Sequence, residues 1–354
     1  MGVGMKILIV DDSVFFRHRL ADLMSLAPDI EIIGYAVNGR DAVHKNHELR
    51  PDLITMDVQM PVVDGITAVR QIMRECPARI LMLSVLTHEG ASETLEALEA
   101  GAVDFLPKEM ISWESERAKE LVADKFLERI RAVGNSRLSA RQKRVSQFND
   151  LGRAAPFRRE DESLRQSPQL LVIGASTGGP VALQVILSHL PKDFPLPILA
   201  AVHMPGSFTT AYAERLNTTC AINIKEAQDR QPLLPGQVLI APGGKQMRVD
   251  KGASGLQVRI LDALPSDVYH PSVDQLFSSA ARMLGNRVLG LVLTGMGADG
   301  LRGGRDLKSA GATLWSQDEK SCIVYGMPQA IERAGLADRV LPVEAMGQQL
   351  LNQL

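Results

Sequence analysis

Short runs of consecutive apolar residues alternate with longer stretches in which apolar positions return every three or four residues. In the first third of the chain the short runs are KILIV (6–10), EIIGYA (31–36), DLITMD (52–57), RILMLS (79–84) and VDFL (103–106). Each predicts a strand, and helices are predicted over 14–26, 39–49, 65–75, 90–100 and within 115–133, with Ser13 as the first N-cap. Regular strand–helix alternation predicts a doubly wound α/β domain with helices on both faces of a parallel sheet. Strands that are apolar on successive residues, not alternate ones, fit burial of both faces.

The pattern fails from about 134 to 168, where GNSRLSARQKRVSQFNDLGRAAPFRREDESLRQSP is polar, basic-leaning and without a sustained apolar face. This reads as a linker. Strand logic returns with QLLVIGA (169–175), PILAAVH (197–203), VLGLVLT (288–294) and ATLWS (312–316), and more weakly near 222–225, 237–240 and 256–261. Helices are predicted over 179–190, 208–216, 272–284 and 298–310. The expected organisation is a first domain at 5–125, a linker at 126–168 and a second doubly wound, mostly parallel-sheet α/β domain at 169–354.

Composition changes this picture little. The 354 residues suit two domains, and 45% hydrophobic with 23% charged residues is ordinary for a globular chain. A net charge of -2 gives no argument for nucleic acid or membrane binding. Cys76, Cys220 and Cys322 lie far apart and form no CxxC, so neither a disulfide framework nor a zinc site is expected. The start, MGVGMKILIV, lacks a signal-peptide pattern, and no apolar run approaches the ~18 residues of a membrane span. A cytoplasmic protein without membrane insertion is the expectation.

The chemistry lies where strands end. Asp11 and Asp12 follow the first strand, Asp57 ends the third, Ser84 ends the fourth and Lys108 follows the fifth. Carboxyl ends of adjacent parallel strands converge on one crevice. Carboxylates gathered there repel unless compensated, and a hydrated Mg²⁺ does this with one or two carboxylates plus phosphate oxygens. Carboxylate nucleophile, metal, hydroxyl and ammonium together describe a phosphoryl site.

The segments IVDDS, MDVQMPVVDG, LMLS and DFLPK resemble the receiver domain of bacterial response regulators, a flavodoxin-like fold, over about 5–125. The resemblance implies Asp57 as the acceptor of a phosphoryl group from a histidine kinase, with Mg²⁺ held by Asp12, Asp57 and the Gln59 carbonyl and Asp11 supporting through water. It also implies that Ser84 and Lys108 touch the phosphoryl oxygens and that Phe105 is the aromatic switch residue. Ser84 stands where Thr is commoner. Glu109 stands where a Pro, usually after a cis bond, follows this Lys; a cis bond before Glu would cost about 3 kcal/mol.

In the second domain GASTGGP (174–180) places Ser176 between glycines at a strand-to-helix turn. Such a turn exposes Oγ, but a serine needs a base. His203 ends the next predicted strand, and Asp299 sits in the Gly-rich loop of VLTGMGADG. Alone, each is an ordinary loop or cap residue; together they supply nucleophile, base and orienter. The order Ser…His…Asp differs from that of α/β-hydrolases. GASTGG lacks the GxGxxG spacing, and no Walker lysine follows.

GASTGGP, HMP, SFTTAYAERLN, IAPGG, HPSVDQLF, LTGMGADG and SQDEKSCIVYGMP, over about 170–330, resemble the catalytic domain of the chemotaxis protein-glutamate methylesterases, the CheB family. This implies Ser176, His203 and Asp299 as the triad and the Met296 N–H as an oxyanion donor. Thr177, the residue after the nucleophile, is a second candidate donor. Val202, Gly206 and Gln246 depart from commoner Gln, Pro and His. The implied reaction is hydrolysis of glutamyl methyl esters on methyl-accepting chemotaxis proteins at membrane receptor arrays, and deamidation of glutamines, with no cofactor for the esterase step. The unphosphorylated receiver is expected to cover the esterase cleft. The alternative is a degenerate esterase domain serving as a binding adaptor.

Overall fold

The computed structural model describes residues 4–113, 115–136, 167–253 and 255–354. They form two compact units, one on each side of the 137–166 segment. The predicted linker therefore lies largely outside the described residues.

In the first unit β1 (Met5–Val10), β2 (Ile30–Ala36), β3 (Leu53–Asp57), β4 (Arg79–Ser84) and β5 (Asp104–Pro107) alternate with α1 (Val14–Met24), α2 (Gly39–Leu49), α3 (Gly65–Glu75), α4 (His88–Ala100) and α5 (Glu116–Gly134). The sheet is parallel in the order β2-β1-β3-β4-β5, the flavodoxin-like order. Ile7 to Val10 and Ile80 to Leu83 are fully buried, as continuous apolar strands require. Side-chain caps start the helices: Ser13 accepts from the Phe16 N–H, Asn38 from Asp41, Asp64 from Thr67 and Thr87 from Gly90. Helix α5 runs to Gly134, so the first residues of the expected linker continue a helix that buries Phe126, Leu127 and Ile130.

The second unit contains β6 (Leu170–Ala175), α6 (Gly179–Leu187), β7 (Ile198–Val202), α7 (Gly206–Thr219), β8 (Asn223–Glu226), β9 (Gln237–Ile240), β10 (Lys245–Gly252), β11 (Gly255–Asp262) and α8 (Val273–Leu284). It continues with β12 (Val288–Val292), α9 (Leu301–Ser309), β13 (Thr313–Gln317), α10 (Met327–Arg333), β14 (Arg339–Leu341) and α11 (Val343–Gln353). Seven strands form a parallel sheet in the order β14-β13-β12-β6-β7-β9-β8, and β10 and β11 form a separate antiparallel hairpin. Helix α8 buries Leu276, Phe277 and Ala280 in the core shared with Leu170, Val172, Val292 and Leu314 of the sheet. Burying a side chain of this size contributes roughly 1.5–3 kcal/mol.

The chain leaves β6 toward β7 on one side and returns to β12 on the other. The crevice beyond the carboxyl end of β6 is thus a topological switch point, where ligands bind in open α/β sheets. Strand β10, helices α10 and α11 and the short β14 were not expected from the sequence. Strand β10 carries Lys245, Arg248, Asp250 and Lys251, which break the apolar signal although Met247 and Val249 alternate inward.

Candidate functional site

Register brings the second-unit residues together. Ala175 pairs with Val202, so Ser176 and His203 leave neighbouring parallel strands at the same level, and the His203 N–H donates to the Ala175 carbonyl at 3.1 Å. On the other side of β6 the Ser176 N–H donates to the Thr294 carbonyl at 3.1 Å, which draws the 294–300 loop against the serine. Gly178 opens α6 at φ 73°, a left-handed conformation suited to glycine, and lets the chain turn from Ser176 into the helix. Gly295 is needed for space: a Cβ there would lie 2.8 Å from the Ser176 Cβ.

His203 and Asp299 are joined by a 2.8 Å bond from Nε2 to Oδ2. Asp299 is buried and richly bonded. Its Oδ2 also accepts from the Val273 N–H at 2.7 Å, and its Oδ1 accepts from the Ser272 hydroxyl and the Asp274 and Gly300 N–H groups at 2.9–3.1 Å. It therefore caps the N-terminus of α8 from outside that helix. Burial pushes its carboxyl up, but the bond from His203 and the α8 N–H groups outweigh it and hold the group below its ordinary value. Asp274 returns the cap, accepting from Gly300 and Gly303 at the start of α9 at 3.0 and 2.8 Å. The two helices are thereby locked at the site.

No hydrogen bond joins Ser176 to His203 among the described residues; catalytic pairs often close only with substrate bound. The ring nitrogen that meets Asp299 is Nε2, and the 294–297 turn is held against Ser176 through the Thr294 carbonyl. The Met296 N–H makes no hydrogen bond among the described residues, whereas Thr177 is fully buried and its carbonyl accepts from the Thr294 hydroxyl at 3.0 Å. The Tyr269 ring stacks on His203, with centroids 4.5 Å apart and planes at 9°. Neither Tyr269 nor the organising role of Thr294 was anticipated. Tyr269 belongs to the irregular 263–272 stretch, and only its position next to HPSVD could have drawn attention to it. Burial raises the thiols of Cys220 and Cys322, which keeps both as neutral thiols rather than nucleophiles.

In the first unit the predicted acidic residues do converge. Carboxylate oxygens of Asp11, Asp12 and Asp57 lie within 4.8 Å of one another. Lys108 reaches both Asp11 and Asp57 at 2.8 Å, and its ammonium lies 4.4 Å from the Phe16 ring centroid. Burial raises the Asp57 carboxyl to about 6 despite the Lys108 charge, with Asp11 adding to the rise. Burial alone would lower Lys108, but the Asp57 charge reverses this and raises it. The donor set, clustered carboxylates on a crevice with one balancing ammonium, fits a hard oxygen-seeking cation.

The Ser84 hydroxyl donates to the Gly90 carbonyl at 3.1 Å, at the start of α4. Phe105 is buried in β5. The Gln59 side chain bonds Glu93 at 2.9 Å. The Lys108–Glu109 peptide is not cis, and Glu109 caps the Leu86 N–H at 3.1 Å, so the substitution is accommodated while Lys108 still reaches the acidic cluster.

Comparison with known proteins agrees with both halves. The chain matches the CheB methylesterase family over residues 171–350 and the response regulator receiver domain over 7–117. It is 47% identical to a protein-glutamate methylesterase/protein-glutamine glutaminase of Vibrio parahaemolyticus, over 99% of this chain and 98% of that one. It is also 47% identical to the protein of the same name from Pseudoalteromonas translucida, over 99% of each. The crystal structure of the Thermotoga maritima CheB methylesterase catalytic domain is 35% identical, covers 53% of this chain and all of its own, and superposes with a TM-score of 0.51. From matches that span 99% of the chain, the protein belongs to the CheB methylesterase family, with a receiver domain preceding its esterase domain.

Proposed function

We propose that the second domain hydrolyses γ-methyl esters of glutamyl side chains on chemoreceptors through Ser176, His203 and Asp299. The observation that carries this is the His203–Asp299 bond set beside Ser176 by strand register. His203 Nδ1 takes the Ser176 proton as Oγ adds to the ester carbonyl carbon, and the Met296 N–H faces the developing oxyanion. The carbon–methoxy bond breaks, and His203 returns the proton to the departing methanol. Water then adds to the acyl-serine with His203 again as base, releasing glutamate and restoring Ser176. Asp299 stays anionic throughout, holding the imidazole tautomer and the transient imidazolium. The same sequence on a glutamine amide releases ammonia in place of methanol.

In the receiver, Asp57 is the proposed acceptor of a phosphoryl group from a histidine kinase, and Asp11, Asp12, Asp57 and the Gln59 carbonyl are the proposed surroundings of Mg²⁺. Bound there, the ion would offset carboxylate repulsion and the charge of the transferring group. Lys108 balances the acidic cluster. Ser84, by turning from Gly90, and Phe105 would report the new charge to α4 and β5, and phosphorylation would raise the esterase rate at receptor arrays. A fluorophosphonate serine probe tests the nucleophile on the full chain. A single adduct on Ser176, lost in His203→Ala, is expected; labelling elsewhere, or equal labelling of His203→Ala, would contradict the assignment.

A further inference from the structure

Gln246 is the second residue of β10 and is 2% exposed. It spends its whole amide on the 263–272 stretch. Nε2 donates to the Tyr269 carbonyl at 2.7 Å and to Asp267 at 3.1 Å, and Oε1 accepts from the Ser272 N–H at 2.9 Å. Two donors facing two acceptors, and one acceptor facing one donor, fix which way the amide points.

The two backbone groups it grips lead to different members of the triad. Tyr269 stacks on His203, and the Ser272 hydroxyl donates to Asp299. The stretch that leads into Tyr269 exposes its large apolar side chains, Leu264 and Val268 being 62% and 81% exposed, so its hold on the domain comes from polar bonds such as those of Gln246. Gln246 itself sits on a firm base, since β10 pairs along its length with β11 and the Val249 N–H donates to Ser279 of α8.

We propose that Gln246 is a positioning residue for the esterase reaction, clamping the 269–272 segment so that Tyr269 fixes the plane of His203 and Ser272 fixes Asp299. The inference rests on the triad assigned above. Gln246 never meets substrate, so its loss acts on turnover, not on binding. Gln246→Glu is nearly isosteric but replaces the donor with an acceptor facing Asp267 and the Tyr269 carbonyl. Gln246→His keeps one donor and one acceptor.

The test measures kcat and KM for methanol release from methylated receptor membranes by the full chain, with the folded fraction checked by circular dichroism. Gln246→Glu is expected to lower kcat about 10- to 100-fold, the order of effect of a small misplacement of reacting groups, with KM within about twofold. Gln246→His should recover most of the loss. Tyr269→Ala, which removes the stack on His203, should fall with Gln246→Glu. Wild-type kcat in folded Gln246→Glu would overturn the proposal. Should that variant not fold, wild-type kcat in folded Tyr269→Ala would do so. A wild-type rate in Ser176→Ala would instead overturn the triad, and this inference with it.

Discussion

Two buried carboxylates, Asp57 in the receiver and Asp299 in the esterase domain, sit at the carboxyl ends of parallel sheets with similar exposure, 7% and 4%. Burial alone pushes both upward, yet Asp57 is raised to about 6 and Asp299 is held below its ordinary value. The difference lies in the neighbours. Asp57 shares one lysine with Asp11 and faces a second carboxylate, whereas Asp299 meets an imidazole, a hydroxyl and backbone N–H groups, some at a helix N-terminus. The same residue type on the same kind of crevice is thus left raised by burial in one domain and held down by its neighbours in the other.

The largest effect that would break this comparison is at the nucleophile: Ser176→Ala should lower methanol release by about 10³-fold or more. Asp299→Asn keeps the shape but presents an amide to His203, and kcat should fall by about 10²–10⁴-fold. The same variant sharpens the electrostatic contrast. Because the native carboxyl is held below 3.8, its contribution to stability is complete above that value and is lost as pH falls through the depressed one. Acid unfolding followed by circular dichroism should therefore be shallower in Asp299→Asn than in wild type. Gly295→Ala, whose methyl would meet Ser176, should cost about 10-fold in kcat, read in the same methanol assay. The smallest effect is one of stability: Val62, exposed in the β3–α3 loop at φ 71°, is strained for a β-branched residue. Val62→Gly should raise receiver stability by about 1 kcal/mol in urea unfolding.

Much of both sites was legible because parallel α/β folds put chemistry at strand ends, and these strands are fully buried apolar runs. Asp11, Asp57, Lys108, Ser176 and His203 each follow or end such a run within a residue. Asp299 was legible as part of a Gly-rich loop, but its capping of α8 was not, because that contact joins residues 25 apart in sequence, with α8 and β12 between them. Gln246 and Tyr269 were illegible as site residues because one lies on a charged hairpin strand and the other on an aperiodic loop, and only the folded chain brings Tyr269 onto His203 and Gln246 to the Tyr269 carbonyl. Strand β10 hid behind Lys245, Arg248, Asp250 and Lys251, which surround the buried Met247 and Val249 and break up the apolar pattern. Helix α10 packs against α9 and β13 and helix α11 against α6, in a part of the chain where the apolar runs had already ended.

The most direct test of the central claim is methanol release from methylated receptor membranes by wild type and Ser176→Ala, each with and without a small phosphodonor. Release that requires Ser176 and rises with the phosphodonor is the predicted result. Wild-type release no faster than that of Ser176→Ala in both conditions would contradict it.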